Sequence, residues 1–170
     1  MVLCIGICFY SGVALYLAAA VAALWYLRHA NGWALRFALW LSASGAALFM
    51  AAFLLRWATW RLVPLTTVSD SLNVLVVMST VVMLLLMRRR NVRTLACFYL
   101  PPLAALCLVS AVVAHGDLFY PPKELSGIPL ILHVGLVFLA YAMFLLAGMT
   151  SAAYIFQTHR LKRHNALGLS

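Results

Sequence analysis

The stretch IPLILHVGLVFLAYAMFLLAGMTSAAYIF, residues 128–156, carries one imidazole, His133, close to its N-terminal end. A neutral imidazole is a common ligand for metal ions. At the mouth of a helix built for lipid it is also an inexpensive interfacial group, since it reaches water or a backbone carbonyl there. A hydrogen-bonded packing role is the third reading, and residue type alone leaves all three open. A second imidazole, His115, closes the preceding apolar run. Arg56 and Arg61 sit in the segment LLRWATWR among Trp57 and Trp60. A guanidinium fork pairs well with a carboxylate-bearing ligand. Tryptophans at the end of an apolar run are equally interfacial anchors, and an arginine beside them can snorkel outward. Asp70 opens a helix, where a carboxylate suits the positive end of the helix dipole, with Thr67 or Ser69 as the cap. Cys4, Cys8, Cys97 and Cys107 follow neither a CxxC nor a zinc spacing. In apolar surroundings each reads as a small hydrophobe. The sequence shows no hydrolase triad, glycine-rich phosphate loop or carboxylate dyad, and three acidic residues in all give no basis for a relay of buried carboxylates.

These residues have to be positioned by membrane helices. The 170-residue chain is 66% hydrophobic and 9% charged, with a mean hydropathy of +1.05. Its apolar runs are far longer than the roughly 10-residue alternating strands of a membrane barrel and match the roughly 20 residues that a spanning helix needs. The expected fold is all-α: a polytopic transmembrane bundle forming a single membrane domain over 1–170. Its spans are placed at about 3–27, 37–60, 69–87, 94–114 and 129–158 by hydropathy. Pro101 and Pro102 fall inside the fourth span, where neighbouring helices can satisfy the freed carbonyls and a kink is expected. Ser71, Asn73, Ser79 and Thr80 in the third span read as interhelical hydrogen-bonding groups. The N-terminal MVLCIGICFYSG lacks the positive region of a cleavable signal peptide and reads as the start of the first span.

A formal charge of +9 invites a nucleic-acid reading, but the cations lie in short clusters between apolar runs, without an aromatic-interleaved basic patch. They set orientation instead. Arg28, Arg36, Arg88, Arg89, Arg90, Arg93, Arg160, Lys162 and Arg163 fall on one side, and Arg56, Arg61 and Lys123 on the other. The first group belongs in the cytoplasm, so the N-terminus is expected outside, the C-terminus inside, and His133 and His115 at the outer surface.

Two segments resemble one family. RWATWRLVPLTTVSDSL is similar to the R-W, short outer loop, then P-L-x-N-x-Y-E-S-L segment of CcsA-type cytochrome c assembly proteins, with Pro64, Leu65, Ser71 and Leu72 in register. Thr67, Ser69 and Asp70 stand where that family has Asn, Tyr and Glu. LHVGLVFLAYAMFLLAGMTSAAYIFQTHRLK resembles the family's H-[VI]-x-[LM]-x-x-x-x-Y-A helix, with His133, Tyr141 and Ala142 on the matching positions. The resemblance spans residues 50–163 and includes the Pro-containing YLPPLAAL. This haem-handling superfamily also holds ResC, CcmC, CcmF, and HemX- and YpjD-like proteins.

The resemblance implies a protein of a bacterial-type inner membrane that binds haem b and presents it on the outer face to apocytochrome c, in company with other cytochrome c assembly proteins. It implies His133 as an axial ligand of the haem iron, Arg56 or Arg61 near the propionates, and His115 as a substitute second ligand. The tryptophan-rich WWD motif and the second external histidine of the family are missing from these 170 residues, and the family's membrane histidine is replaced near Phe49 or Met50. The expectation is therefore the N-terminal part of a longer protein, with a chain that pairs with a separate tryptophan-loop subunit and a degenerate scaffold as alternatives. Whether such a chain is itself an enzyme is left open by these departures. Outside this family the competing readings are a membrane scaffold subunit without cofactor and a small transporter. Five spans without inverted repeats speak against the transporter.

Overall fold

A computed structural model of the chain describes residues 2–29, 32–65, 67–89, 95–114 and 128–167. They form five helices: α1 (Val2–His29), α2 (Gly32–Trp60), α3 (Val68–Arg89), α4 (Leu95–Val113) and α5 (Ile128–Leu167). All five are long and apolar enough to cross a membrane, and no strand occurs among the described residues. Two boundaries differ from the sequence reading. α2 begins at Gly32 instead of 37, and α5 continues through the basic segment after 158, because Lys, Arg and Leu are good helix formers even where lipid no longer selects for apolar residues. α4 runs through both prolines without interruption.

Successive helices alternate in direction. The end of α2 meets the start of α3 through Arg56 and Asp70, and the end of α4 reaches the start of α3 through Ser110 and Asn73. One end of the bundle therefore gathers the beginnings of α1, α3 and α5 with the ends of α2 and α4. Arg28, Arg36 and Arg88 lie at the other. α4 is central and packs on all four other helices, whereas α5 packs against α3 and α4 and is the least buried.

The closest packing is between α1 and α2, and glycine makes it possible. A Cβ on Gly45 would sit 2.9 Å from the Tyr16 ring, and one on Gly12 would sit 2.9 Å from the Phe49 ring. The two rings stack on each other across the same crossing, centroids 5.5 Å apart and 16° from parallel. This is how membrane helices gain from small residues: the backbones approach and van der Waals contact replaces the missing hydrophobic drive.

Two of the four polar groups of α3 that the sequence singles out, Asn73 and Thr80, join it to its neighbours, whereas the buried Ser79 hydroxyl has no hydrogen-bond partner among the described residues. The Thr80 hydroxyl donates to the Val76 carbonyl at 2.9 Å, so the Tyr16 hydroxyl, 2.6 Å away, donates to Thr80. Ser110 donates to the Asn73 side-chain carbonyl at 2.9 Å. Tyr16→Phe keeps the ring stack and removes one buried hydrogen bond. Its expected cost is about 1 kcal/mol, read from thermal unfolding of the purified protein in detergent. Cys97 and Cys107 are buried, Cys8 is partly buried, Cys4 is exposed, and all four are free thiols.

Candidate functional site at the Arg56 end

The segment joining α2 and α3 organises this end of the bundle. α2 closes on Arg61, whose N–H donates to the Trp57 carbonyl at 2.8 Å while its own backbone is left-handed, φ 55°. That is the single-bond left-handed helix stop, normally made by glycine because a side chain costs about 1–2 kcal/mol there. Arg61 makes the stop regardless, and its side chain is exposed at the rim, where a cation favours the negative end of the α2 dipole. Pro64 is fully buried behind it. α3 then begins on Thr67, whose hydroxyl accepts the Asp70 N–H at 3.1 Å. Thr67 is therefore the cap. Ser69 is buried instead, in reach of Ser110.

Asp70 does more than start a helix. Its carboxylate accepts a hydrogen bond from the Arg56 guanidinium at 2.5 Å, and both side chains are almost wholly enclosed. Sequence reading left Arg56 between snorkelling outward and meeting an external anion. It does neither alone, because its anion is supplied by this chain, fourteen residues on. Unpaired charges within a membrane are expensive, and the α2–α3 turn brings the two together. Trp60, beside it, buries an indole N–H that has no acceptor among the described residues.

Next to this pair lie two spaces that sequence reading missed. A cavity of about 20 Å³, room for one water molecule, is bounded by Arg56, Asp70 and Asn73 together with apolar side chains. Beyond Asn73 an apolar groove of about 250 Å³ opens between α2 and α5, with α3 as its floor. Phe49 and Phe53 of α2, Met78 and Asn73 of α3, and Gly135 and Phe138 of α5 line it, with no charged side chain among them. The only sequence signal is weak: Phe49 and Phe53 recur at helical spacing, and Gly135 leaves a gap on the facing helix.

His133 is not in that groove. At 3.6 residues per turn it lies roughly 200° around α5 from Ile131 and from Gly135, and its side chain is exposed. The groove instead contains Phe49 and Met50. His133 and Arg61 thus share an end of the bundle, whereas Arg56 is withdrawn into its core. Tyr141 is exposed, and Ala142 is buried with its carbonyl 3.4 Å from the Tyr99 hydroxyl. His115 lies outside the described residues. His29 and His159 belong to the opposite end. Among the described residues no group of three or more His, Cys, Asp or Glu is placed to hold a metal ion.

No family model, curated protein or solved structure matches this chain. What it can do rests on its own residues and geometry.

Proposed function

We propose that this chain is a haem-handling protein of cytochrome c maturation, located in a bacterial-type inner membrane, which holds haem b at the outer face and presents it to apocytochrome c. The observation that carries the reading is His133: an exposed imidazole near the start of α5, within the segment that resembles the assembly family. An exposed ring is accessible to a ligand arriving from outside the bundle, and the neutral imidazole is a proper axial ligand for haem iron. Arg61, exposed at the same end, suits a propionate. Arg56 does not serve that purpose directly while it holds Asp70.

The donor set fits one axial position. The second comes from His115 or from a partner protein of the assembly pathway. When bound, haem supplies the vinyl groups to which the cysteines of apocytochrome c add. The part of this chain is to hold and orient.

The test is the reduced-minus-oxidised spectrum of the purified protein. His133→Ala is expected to abolish most of the Soret band while leaving the thermal unfolding of the haem-free protein unchanged, since the side chain is exposed. Equal haem content in the variant removes His133 from the site. One observation favours a second reading: α5 is the least buried of the five helices, and a Cβ on Gly148 would meet nothing within 4 Å among the described residues. A cofactor-free scaffold subunit whose α5 covers a partner helix gives no Soret band in either protein.

A further inference from the structure

The groove between α2 and α5 has the properties of a ligand site in its own right. A cavity of roughly 150 Å³ takes one benzene ring, so the groove's volume of about 250 Å³ suits a substituted single ring or a fused pair. It is too small for the porphyrin of the haem reading. Its wall combines three phenylalanines with Met50, Met78 and several aliphatic side chains. Aromatic edges and polarisable sulfur are the side chains that best contact a flat ring. No charged group faces it, which disfavours a fatty acid carboxylate or a phospholipid head.

One polar group remains. The Asn73 side-chain carbonyl is engaged by Ser110, which fixes the carboxamide. Its NH₂, two donors, has no acceptor among the described residues, and Asn73 lines the groove. The preferred ligand is therefore neutral, flat, apolar and equipped with a carbonyl acceptor. We propose that this groove binds the ring of a membrane quinone, with a ring carbonyl on the Asn73 amide and the isoprenoid tail leaving between α2 and α5, which are not packed against one another. The site is separate from the face that carries His133 and does not depend on the haem reading.

Gly135 provides the decisive variant. A Cβ placed there meets nothing within 4 Å, so a side chain can begin at this position without a clash, and Gly135→Leu fills part of the groove that Gly135 lines. The full chain is placed in nanodiscs of dioleoylphosphatidylcholine and titrated with menadione and with a decyl-substituted benzoquinone, followed by quenching of tryptophan fluorescence. Saturable quenching is expected, abolished in Gly135→Leu at an unchanged unfolding temperature. In Asn73→Leu, loss of one hydrogen bond weakens binding up to about tenfold. Three results overturn the proposal: quenching that rises linearly as simple partition, Gly135→Leu binding as the native chain does, or oleyl alcohol displacing the quinone at equal concentration. The last identifies an acyl-chain groove instead.

Discussion

Arg56→Leu is expected to lower stability by about 3–5 kcal/mol, because it leaves a buried carboxylate without its cation. The pair is almost fully enclosed, so bulk water cannot take over the role of the guanidinium. Asp70→Leu is expected to cost a similar amount by stranding the arginine. The joint variant Arg56→Met with Asp70→Leu is the informative one. Replacing both charges by apolar side chains of similar volume is often neutral or stabilising, so the double variant should recover most of the loss. Thermal unfolding in detergent of the two single variants and the double variant checks this. Additive losses would show that each side chain is held by something other than its partner.

Gly45→Leu should be the most damaging change in the α1–α2 contact. Even a methyl at this position lies 2.9 Å from the Tyr16 ring. The ring has nowhere to go, being fully buried, stacked on Phe49 and hydrogen-bonded to Thr80. Overpacking of this kind ordinarily costs about 1–3 kcal/mol, and here it also breaks the Tyr16–Thr80 bond, which adds about 1 kcal/mol. Gly148→Leu is the control, since a Cβ there meets nothing within 4 Å. The comparison is of the fraction of each variant that remains monodisperse on heating in detergent. Equal behaviour of the two would mean that α1 and α2 do not cross at Gly12 and Gly45.

The helices were legible because lipid imposes a strong rule on composition: long apolar runs broken by Arg clusters leave few alternatives. Number and approximate position of the spans follow from that rule, as does the role of Asn73 and Thr80 as links between helices. Spatial pairing was not legible. Nothing in the local sequence says that Asp70 turns back to Arg56, because the same carboxylate satisfies the helix start on its own. Arg61 in a left-handed stop escaped for a related reason: that position is normally marked by glycine, and the segment WATWRLVPL has none. The groove was invisible because it arises where α2 and α5 fail to meet, and periodicity reports what one helix presents without saying what faces it. The position of His133 on the exposed side of α5 was within reach of simple counting. Ala142, Leu146 and Ala153 are its buried residues among those described, and helical spacing puts His133 away from them.

The length of α5 has a mechanical consequence. Its 40 residues make a rod of roughly 60 Å at 1.5 Å per residue, about twice the roughly 30 Å hydrocarbon thickness of a bilayer. His133 rides near one tip, and the segment rich in Lys and Arg occupies the other. The rod is gripped along one side by α3 and α4, so a tilt of about 10° about its middle moves each tip sideways by roughly 5 Å, in opposite directions. A small rearrangement in the bundle is thereby amplified into a large displacement where the imidazole stands.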